Sequence, residues 1–160
     1  MIKFTTSMVT FEEIPTEVTL SLAISNCRGT CPGCHSPELR GDNGTELTEE
    51  VLDLLIQKNS GVSCVLFLGE GKSPSDLIKL AERVRNHWKL SVALYSGRER
   101  IEDDLWEHFD YVKIGPYVES LGPLNKVTTN QRLYRYRPEY SSICCGHKGW
   151  RDITRLFWKK

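Results

Sequence analysis

Three closely spaced cysteines are the residues with the clearest chemistry in this chain. Cys27, Cys31 and Cys34 form a C-x3-C-x2-C pattern, with glycine and proline between them that allow tight turns. Thiolates are soft ligands that bind zinc or iron–sulfur clusters. Nothing in the sequence indicates secretion, so a metal site is favoured over disulfides. The pattern therefore predicts a metal centre held by these three cysteines.

The residue after the third cysteine bears on which metal is bound. His35 directly follows Cys34, and it is the obvious fourth ligand for a zinc ion. Neighbouring side chains diverge in most backbone conformations, which makes a zinc tetrahedron closed by His35 awkward. Structural zinc sites also usually take paired ligands from two separate segments. Three thiolates suit a cubane iron–sulfur cluster instead, with one iron open to a substrate.

Regular elements must position this cysteine loop. Val18–Ser25 alternates apolar and polar residues, as a half-buried strand does, and leads directly into Cys27. Asn26–Gly44 is rich in Gly, Pro, Asn and Asp and is predicted to be a long loop. Strand and helix signals then alternate: a helix capped by Thr48, a strand over Val62–Leu68, a helix starting at Ser73–Pro74, a strand over Leu90–Tyr95, a helix over Ile101–His108 and a strand over Tyr111–Ile114.

The apolar spacing predicts which faces of the first two helices are buried. In the helix capped by Thr48, we expect this face to hold Val51, Leu54 and Leu55. In the next helix, the corresponding apolar residues are Leu77, Leu80, Ala81 and Val84. Both faces are expected to cover a sheet.

The alternation of strands and helices indicates the fold class. It is typical of right-handed βαβ units and a parallel sheet. A chain of 160 residues forms one domain. It is too short for a complete (βα)8 barrel of ~250 residues. We therefore expect an α/β fold over residues 1–160, a single-domain incomplete (βα) barrel with a curved, mostly parallel sheet. Ligands in α/β folds bind at the carboxyl ends of parallel strands, where the cysteine loop begins.

Composition and charge limit the class of protein. There are 21 basic and 21 acidic residues, so the charge balance does not indicate nucleic acid as the main partner. The longest apolar runs, such as Val65–Leu68, are far shorter than the ~20 residues that a membrane-spanning helix needs. Met1–Thr10 does not have the pattern of a secretory signal. The expected compartment is the cytoplasm, with no membrane contact.

Residues from about 138 to 160 are expected to be a basic C-terminal tail. Basic residues lie at positions 132, 135, 137, 148, 151, 155, 159 and 160, against acids at 139 and 152. Aromatic and arginine residues are favoured in protein interfaces, so this tail is a hypothetical docking element for a partner. Cys144, Cys145 and His147 suggest a second metal site, although their spacing is not that of the usual zinc motifs. Cys64 lies in an apolar strand and is expected to be a buried core thiol.

Several segments together resemble a known family. The chain is similar to the radical S-adenosylmethionine (SAM) superfamily, and within it to the activating proteins of anaerobic ribonucleoside-triphosphate reductases. The resemblance covers the chain from about the first predicted strand to residue 137. It rests on four segments: Cys27–Leu39 (CRGTCPGCHSPEL), Cys64–Gly71 (CVLFLGEG), Tyr111–Tyr117 (YVKIGPY) and Gly122–Arg135 (GPLNKVTTNQRLYR).

The resemblance implies a cofactor and a reaction. It assigns a [4Fe–4S] cluster to Cys27, Cys31 and Cys34, with SAM chelating the open iron. A reduced flavodoxin- or ferredoxin-type donor would supply one electron, SAM would be cleaved, and a glycyl radical would form on the large subunit of the reductase. In this family the residues along the SAM adenine correspond to Gly33, Cys34 and His35. No side chain is assigned as an acid or a base, so no separate catalytic residue is predicted.

A second segment is implied to contact SAM, with one departure from the family. Relatives carry Gly-Gly-Glu or Gly-Gly-Asp at the end of the second parallel strand, where backbone groups meet the SAM amino group. This chain has Gly69-Glu70-Gly71, so the carboxylate is moved by one place. Ser96, Gly97 and Lys113 lie at the ends of two further strands, and they are equally compatible with lining the same site and with ordinary turn or surface positions. Asn130 and Gln131 match the end of the family motif, or they make loop hydrogen bonds.

Other functions remain open from the sequence. A radical SAM enzyme that acts on another glycyl radical enzyme or on a small molecule would use the same cluster chemistry. A protein of a different class, a zinc-stabilised binding module, would bind zinc and leave SAM intact.

Overall fold

The structure is a computed structural model that describes residues 1–27, 36–144 and 146–158. Its α-helices are Glu49–Lys58 (α1), Pro74–Glu82 (α2) and Asp103–Trp106 (α3). A π-helical turn, Arg83–His87, extends α2, and short 3-10 helices span Pro37–Arg40 and Thr154–Phe157. The strands are Lys3–Thr10 (β1), Thr19–Ile24 (β2), Thr45–Glu46 (β3), Cys64–Leu68 (β4), Ser91–Tyr95 (β5), Tyr111–Ile114 (β6), Arg132–Tyr136 (β7), Ile143–Cys144 (β8), His147–Lys148 (β9) and Trp150–Asp152 (β10).

Eight strands form one sheet in the order β10-β7-β6-β5-β4-β2-β1-β3, and β8 pairs with β9 in a separate hairpin. The four central strands, β2, β4, β5 and β6, run parallel. Helices α1, α2 and α3 connect them in chain order, as crossover helices must between parallel neighbours. The strands on both flanks pair antiparallel.

The predicted incomplete (βα) barrel with a mostly parallel sheet is therefore wrong. The sheet is mixed, and four of its seven neighbouring strand pairs are antiparallel. The prediction found the parallel centre and missed β1, β3, β7 and β10. These strands join the sheet without a crossover helix, which antiparallel pairing permits.

One face of the sheet is covered by the helices. Thr48 caps α1, because its Oγ1 accepts a hydrogen bond from the Val51 amide at 3.1 Å. Leu52 and Ile56 are the buried residues of α1. The predicted Val51 and Leu55 pack against the core, whereas the predicted Leu54 is exposed. The predicted face of α2 is confirmed, including Val84 in the π-helical turn. The core on this side contains Leu22, Ile24, Val65, Phe67, Val92 and Leu94.

The opposite face is covered by irregular chain rather than by helices. The connection between β1 and β2 crosses it, with Ile14 fully buried against Leu66, Ala93 and Tyr111. The Tyr95 hydroxyl donates a hydrogen bond to the backbone oxygen of Glu13 and ties this connection to β5. Among the described residues, every helix is too short or too polar to cross a lipid bilayer.

The region predicted to be a basic tail is integrated into the fold where the structure describes it. Strand β10 pairs with β7 and forms one edge of the large sheet. Trp150 and Thr154 are buried, and the Thr154 hydroxyl accepts a hydrogen bond from the Leu133 amide at 2.8 Å. Lys159 and Lys160 lie outside the described residues.

Candidate functional site

A cavity of about 810 Å³ opens on the sheet face opposite the helices. Leu68, Tyr95 and Lys113 form its floor, and they lie at the carboxyl ends of β4, β5 and β6. Phe11 and Phe157 contribute apolar walls from the two chain segments that cover this face. The volume is in the range of small-molecule and cofactor sites, which are roughly 300–1,000 Å³.

Three charged side chains line this cavity: Glu12, Glu13 and Lys113. Lys113 is only 8% exposed, and its Nζ lies 5.2 Å from the centre of the Tyr95 ring, within cation–π range. Burial raises the pKa of the Glu13 carboxyl, and the positive charge of Lys113 partly opposes that shift. The cavity therefore places a cation and a carboxyl group between apolar walls, which suits a ligand with both charged and apolar parts.

Tyr95 and Gln131 are two of the neutral polar residues in the lining. Burial raises the pKa of the Tyr95 phenol well above its usual value, so the hydroxyl stays protonated as a donor to Glu13. Gln131 is 6% exposed, and its Nε2 donates to the backbone oxygen of Gly115 at 3.5 Å. The neighbouring Asn130 turns away, because its Nδ2 donates to the Pro116 oxygen at 3.0 Å. The structure thus places Gln131, rather than Asn130, on the cavity.

An ion-pair network joins the ends of β4 and β5. Arg98 donates to both oxygens of Glu70, from Nε at 2.8 Å and from Nη2 at 2.5 Å, and Ser96 Oγ donates at 2.5 Å. The same guanidinium reaches Glu102 at 2.6 Å. The two carboxylates raise the pKa of Arg98. The Glu70 side chain is only 9% exposed, so its carboxylate is engaged within the protein rather than directed at solvent.

The backbone conformation and the close packing beside Glu70 explain why the residues on either side of it are glycines. Both have positive φ, +116° at Gly69 and +68° at Gly71, which favours glycine. A Cβ on Gly71 would lie 2.8 Å from Ile2 Cδ1, and one on Gly69 would lie 3.3 Å from the backbone oxygen of Ile24. The segment predicted to contact SAM therefore sits at the carboxyl end of β4, close against β2.

The described residues on either side of the three-cysteine segment lie at this end of the sheet. Cys27 follows β2, and its amide donates to the Leu39 oxygen at 2.7 Å, while the Asn26 amide donates to Gly41 at 3.0 Å. These two bonds close the base of the loop. Ser36 is the first described residue after the gap, and it lines the cavity. The predicted residues Cys31, Gly33, Cys34 and His35 lie outside the described residues.

Of the three predicted cluster ligands, only Cys27 is among the described residues. Within them, no group of three His, Cys, Asp or Glu side chains is arranged to hold a metal ion. Cys27, a thiol that is not in a disulfide, stands at the start of the loop and has the chemistry of an iron–sulfur ligand. Two observations suit an iron–sulfur cluster: the C-x3-C-x2-C spacing of the thiols and the position of Cys27 at the closed base of the loop.

The other cysteines differ from this loop. Cys64 is fully buried, and burial raises the pKa of its thiol well above the usual value, which confirms the predicted core thiol. Cys145 lies outside the described residues. His147 lies 3.5 Å from Asp103 and stacks on Trp106 with ring centres 5.3 Å apart. These contacts place His147 against α3.

Sequence reasoning missed part of this site. The sequence did not mark Phe11, Glu13 or Tyr95 as site residues. Phe11 and Glu13 reach the cavity because the β1–β2 connection crosses the sheet, and Tyr95 is the last residue of β5. Lys113 was noticed at a strand end and Gln131 in the end motif of the family, and both were left undecided. For Lys113, the position at the carboxyl end of a parallel strand was the usable signal.

Comparisons of the chain with protein-family models, with curated proteins and with solved structures find no match. The functional argument therefore depends on the thiolate pattern, on the sequence resemblance and on the geometry of this cavity.

Proposed function

We propose that this chain is a radical SAM activating enzyme. It would bind a [4Fe–4S] cluster through Cys27, Cys31 and Cys34, cleave SAM reductively and generate a glycyl radical on an anaerobic ribonucleoside-triphosphate reductase. The observation that carries the proposal is the position of the described residues on either side of the cysteine segment. Cys27 follows β2, and Ser36 lines an 810 Å³ cavity at the carboxyl ends of the parallel strands.

The cavity has room and polarity for SAM. This cofactor combines an amino-acid head, a sulfonium and a flat adenine, and the cavity combines Lys113 and Glu13 with apolar walls. When bound, the cluster would supply the electron that breaks a carbon–sulfur bond of SAM. Gly33, Cys34 and His35 are proposed to lie along the adenine, as the resemblance implies.

The Gly69-Glu70-Gly71 segment is proposed to bind SAM through its backbone. The Glu70 carboxylate already accepts hydrogen bonds from Arg98 and Ser96, so its part is to hold the ends of β4 and β5 together. That arrangement keeps the backbone groups of Gly69 and Gly71 at a fixed place. The shift of the carboxylate relative to the family pattern is then compatible with cofactor binding.

The proposed reaction also requires that the residues lining the cavity prevent side reactions of the radical. Leu68 and Phe157 line the cavity with apolar surface, and Phe11, 71% exposed, lies at its rim. Apolar walls limit the access of water to a reactive species, which is the part a protein supplies in cofactor chemistry. We propose a protein as the substrate, and a reduced flavodoxin or ferredoxin as the electron donor.

Anaerobic reconstitution tests the cluster and the reaction separately. The wild-type chain should take up iron and sulfide, and with dithionite and SAM it should release 5′-deoxyadenosine. Cys31→Ala should lose both the cluster and the product. Cys64→Ala is the matched control, because Cys64 is buried in the sheet, and it should keep both.

Two results would contradict the proposal. One is a chain that binds zinc and no iron, with SAM left intact, which would favour the zinc-stabilised binding module. The other is an unchanged yield of 5′-deoxyadenosine from Cys31→Ala. A glycyl radical signal on the added reductase would identify the protein substrate, whereas SAM cleavage without that signal would point to another glycyl radical enzyme or a small molecule.

A further inference from the structure

Basic residues are concentrated in the last third of the chain. Residues 111–160 include ten basic and three acidic residues, whereas residues 1–110 include eleven basic and eighteen acidic ones. The net charge of zero is thus the sum of two regions of opposite charge. A surface with a local excess of one charge attracts a partner of the opposite charge and raises the rate of encounter.

Two arginines of this basic region lie directly opposite each other, Arg135 on β7 and Arg151 on β10. Opposed residues of neighbouring strands point to the same face of a sheet. Here it is the face that carries the cavity, because Leu133 and Ile153, each two residues away along the chain, are buried on that side. Like charges directly opposite each other destabilise a sheet. The stability of the fold therefore gives no reason for this pair of arginines.

Aromatic rings hold both guanidinium groups in place. Arg151 Cζ lies 3.8 Å from the centre of the Tyr140 ring, and Arg135 Cζ lies 5.5 Å from the centre of the Tyr111 ring, both within cation–π range. A stacked guanidinium keeps the N–H groups in its plane for a carboxylate, which it can bind through two hydrogen bonds. Arg137, two residues beyond Arg135, is exposed and adds a third positive charge. We call Arg135, Arg137 and Arg151 the arginine patch.

The acidic residues beside the patch leave it with a net positive charge. Asp152 points to the helix side of β10 and pairs with Arg132 at 3.8 Å. Glu17 is close enough to Arg137 for the two charges to interact, but burial raises the pKa of its carboxyl, which disfavours the charged form. Glu139 is exposed and supplies one negative charge. Three guanidinium groups therefore stand beside one exposed carboxylate.

The patch and the cavity are close enough for one protein to cover both. Gln131 lines the cavity, and Arg135 follows four residues later, about 13 Å along an extended strand. A protein interface of about 800 Å² per partner is roughly 30 Å across. The cavity is also lined by Glu12, which is exposed, so a nucleic acid lying across it would meet a like charge. A protein can present charges of both signs.

We propose that the arginine patch docks an acidic surface of the glycyl radical enzyme, next to the segment of that enzyme that enters the cavity. This inference rests on the proposed function, which makes a protein the substrate. The patch has no part in the chemistry. Its charges steer the encounter, as charges at the edge of an interface do, and so determine which enzyme is bound and how fast.

Biolayer interferometry under anaerobic conditions tests the patch, with the full chain and the anaerobic reductase large subunit from the same organism. The double variant Arg135→Glu with Arg151→Glu should raise Kd about tenfold or more, mainly through slower association, and the difference should shrink as NaCl is added. Lys58→Glu with Arg100→Glu is the matched control. It makes the same change in charge at two exposed positions outside the patch and the cavity lining, and it should bind like the wild type.

A second variant separates loss of charge from misfolding. Arg135→Gln with Arg151→Gln removes the like-charge opposition, so it should fold like the wild type by circular dichroism and still bind the reductase more weakly. With dithionite and SAM but no reductase, both double variants should release 5′-deoxyadenosine at the wild-type rate, because the patch lies outside the cavity lining. Failure of the wild type to cleave SAM would count against the proposed function itself.

Four results would overturn the docking proposal and leave SAM cleavage untouched. One is a Kd for Arg135→Glu with Arg151→Glu within about twofold of the wild type. Another is an equal loss of affinity in the control, which would be a general effect of charge. The third is a wild-type chain with no measurable affinity for the reductase. The fourth is binding of single-stranded RNA or DNA that the patch variants lose while they keep the reductase, which would assign the patch to nucleic acid.

Discussion

Removal of the Arg98 side chain should destabilise the fold by an amount that its contacts with Glu70 set. Glu70 is 9% exposed and Arg98 32% exposed. Two short hydrogen bonds from Nε and Nη2 link them. Breaking a fully buried ion pair costs about 3–5 kcal/mol. Partial exposure of the guanidinium reduces that value, so Arg98→Ala should lower the free energy of unfolding by about 2–3 kcal/mol.

Urea unfolding of the metal-free chain, followed by circular dichroism, measures this effect. Arg98→Lys keeps the charge and loses the two-pronged contact, so it should fall between the wild type and Arg98→Ala. Arg100→Ala is the matched control two residues away, at an exposed position, and should stay within about 0.5 kcal/mol of the wild type. A loss below about 1 kcal/mol for Arg98→Ala, or an equal loss for Arg100→Ala, would refute the reasoning, because partly buried pairs would then contribute no more than surface ones.

Three further variants test the core, a helix cap and the cavity by the same unfolding measurement. Phe67→Ala should cost about 3–5 kcal/mol because Phe67 is fully buried, and Leu54→Ala should cost less than about 0.5 kcal/mol; similar losses would contradict the observed faces. Thr48→Ala should cost about 1 kcal/mol through loss of the α1 cap, and no change would contradict it. Burial raises the folded-state pKa of Glu13, so ionised Glu13 opposes folding. Glu13→Gln should therefore stabilise the chain at pH 7. That gain should shrink as the pH falls through the raised folded-state pKa of Glu13 and be gone near the unfolded-state value of about 4.3; a gain that grew in acid would reverse the sign.

The centre of the sheet could be predicted from the sequence because each element there carries its own local signal. Val62–Leu68 is uniformly apolar, as a strand covered on both faces must be, and the structure contains β4 at Cys64–Leu68. Thr48 and Ser73–Pro74 correctly marked the starts of α1 and α2. These signals depend only on residues next to each other in the chain.

The flanks of the sheet could not be predicted in the same way. Half of strand β1 is threonine or serine, and the strand lies near an exposed edge, so no apolar face reveals it in the sequence. Strand β7 alternates, but arginines interrupt it at positions 132 and 135 and suggested a charged tail. Whether these segments pair with the sheet depends on partners far along the chain, and this decides between a barrel and a mixed sheet.

The candidate site also contains some features that the local sequence shows and others that depend on distant parts of the chain. The cysteine spacing and the strand ends at Gly69 and Lys113 are local, and they were recognised in the sequence. Glu13 reaches the cavity because the β1–β2 connection crosses the sheet, with Ile14 as its buried contact. No pattern within the connection specifies that path.

The closed base of the cysteine loop would have a thermodynamic consequence for the proposed metal capture. The Cys27–Leu39 and Asn26–Gly41 hydrogen bonds join the chain on the two sides of the cysteine segment. In the proposed cluster, the second and third thiolates would meet iron as intramolecular ligands, at an effective concentration of order millimolar. This chelate effect would make assembly cooperative, so a chain missing one thiolate should hold less than two thirds of the wild-type iron.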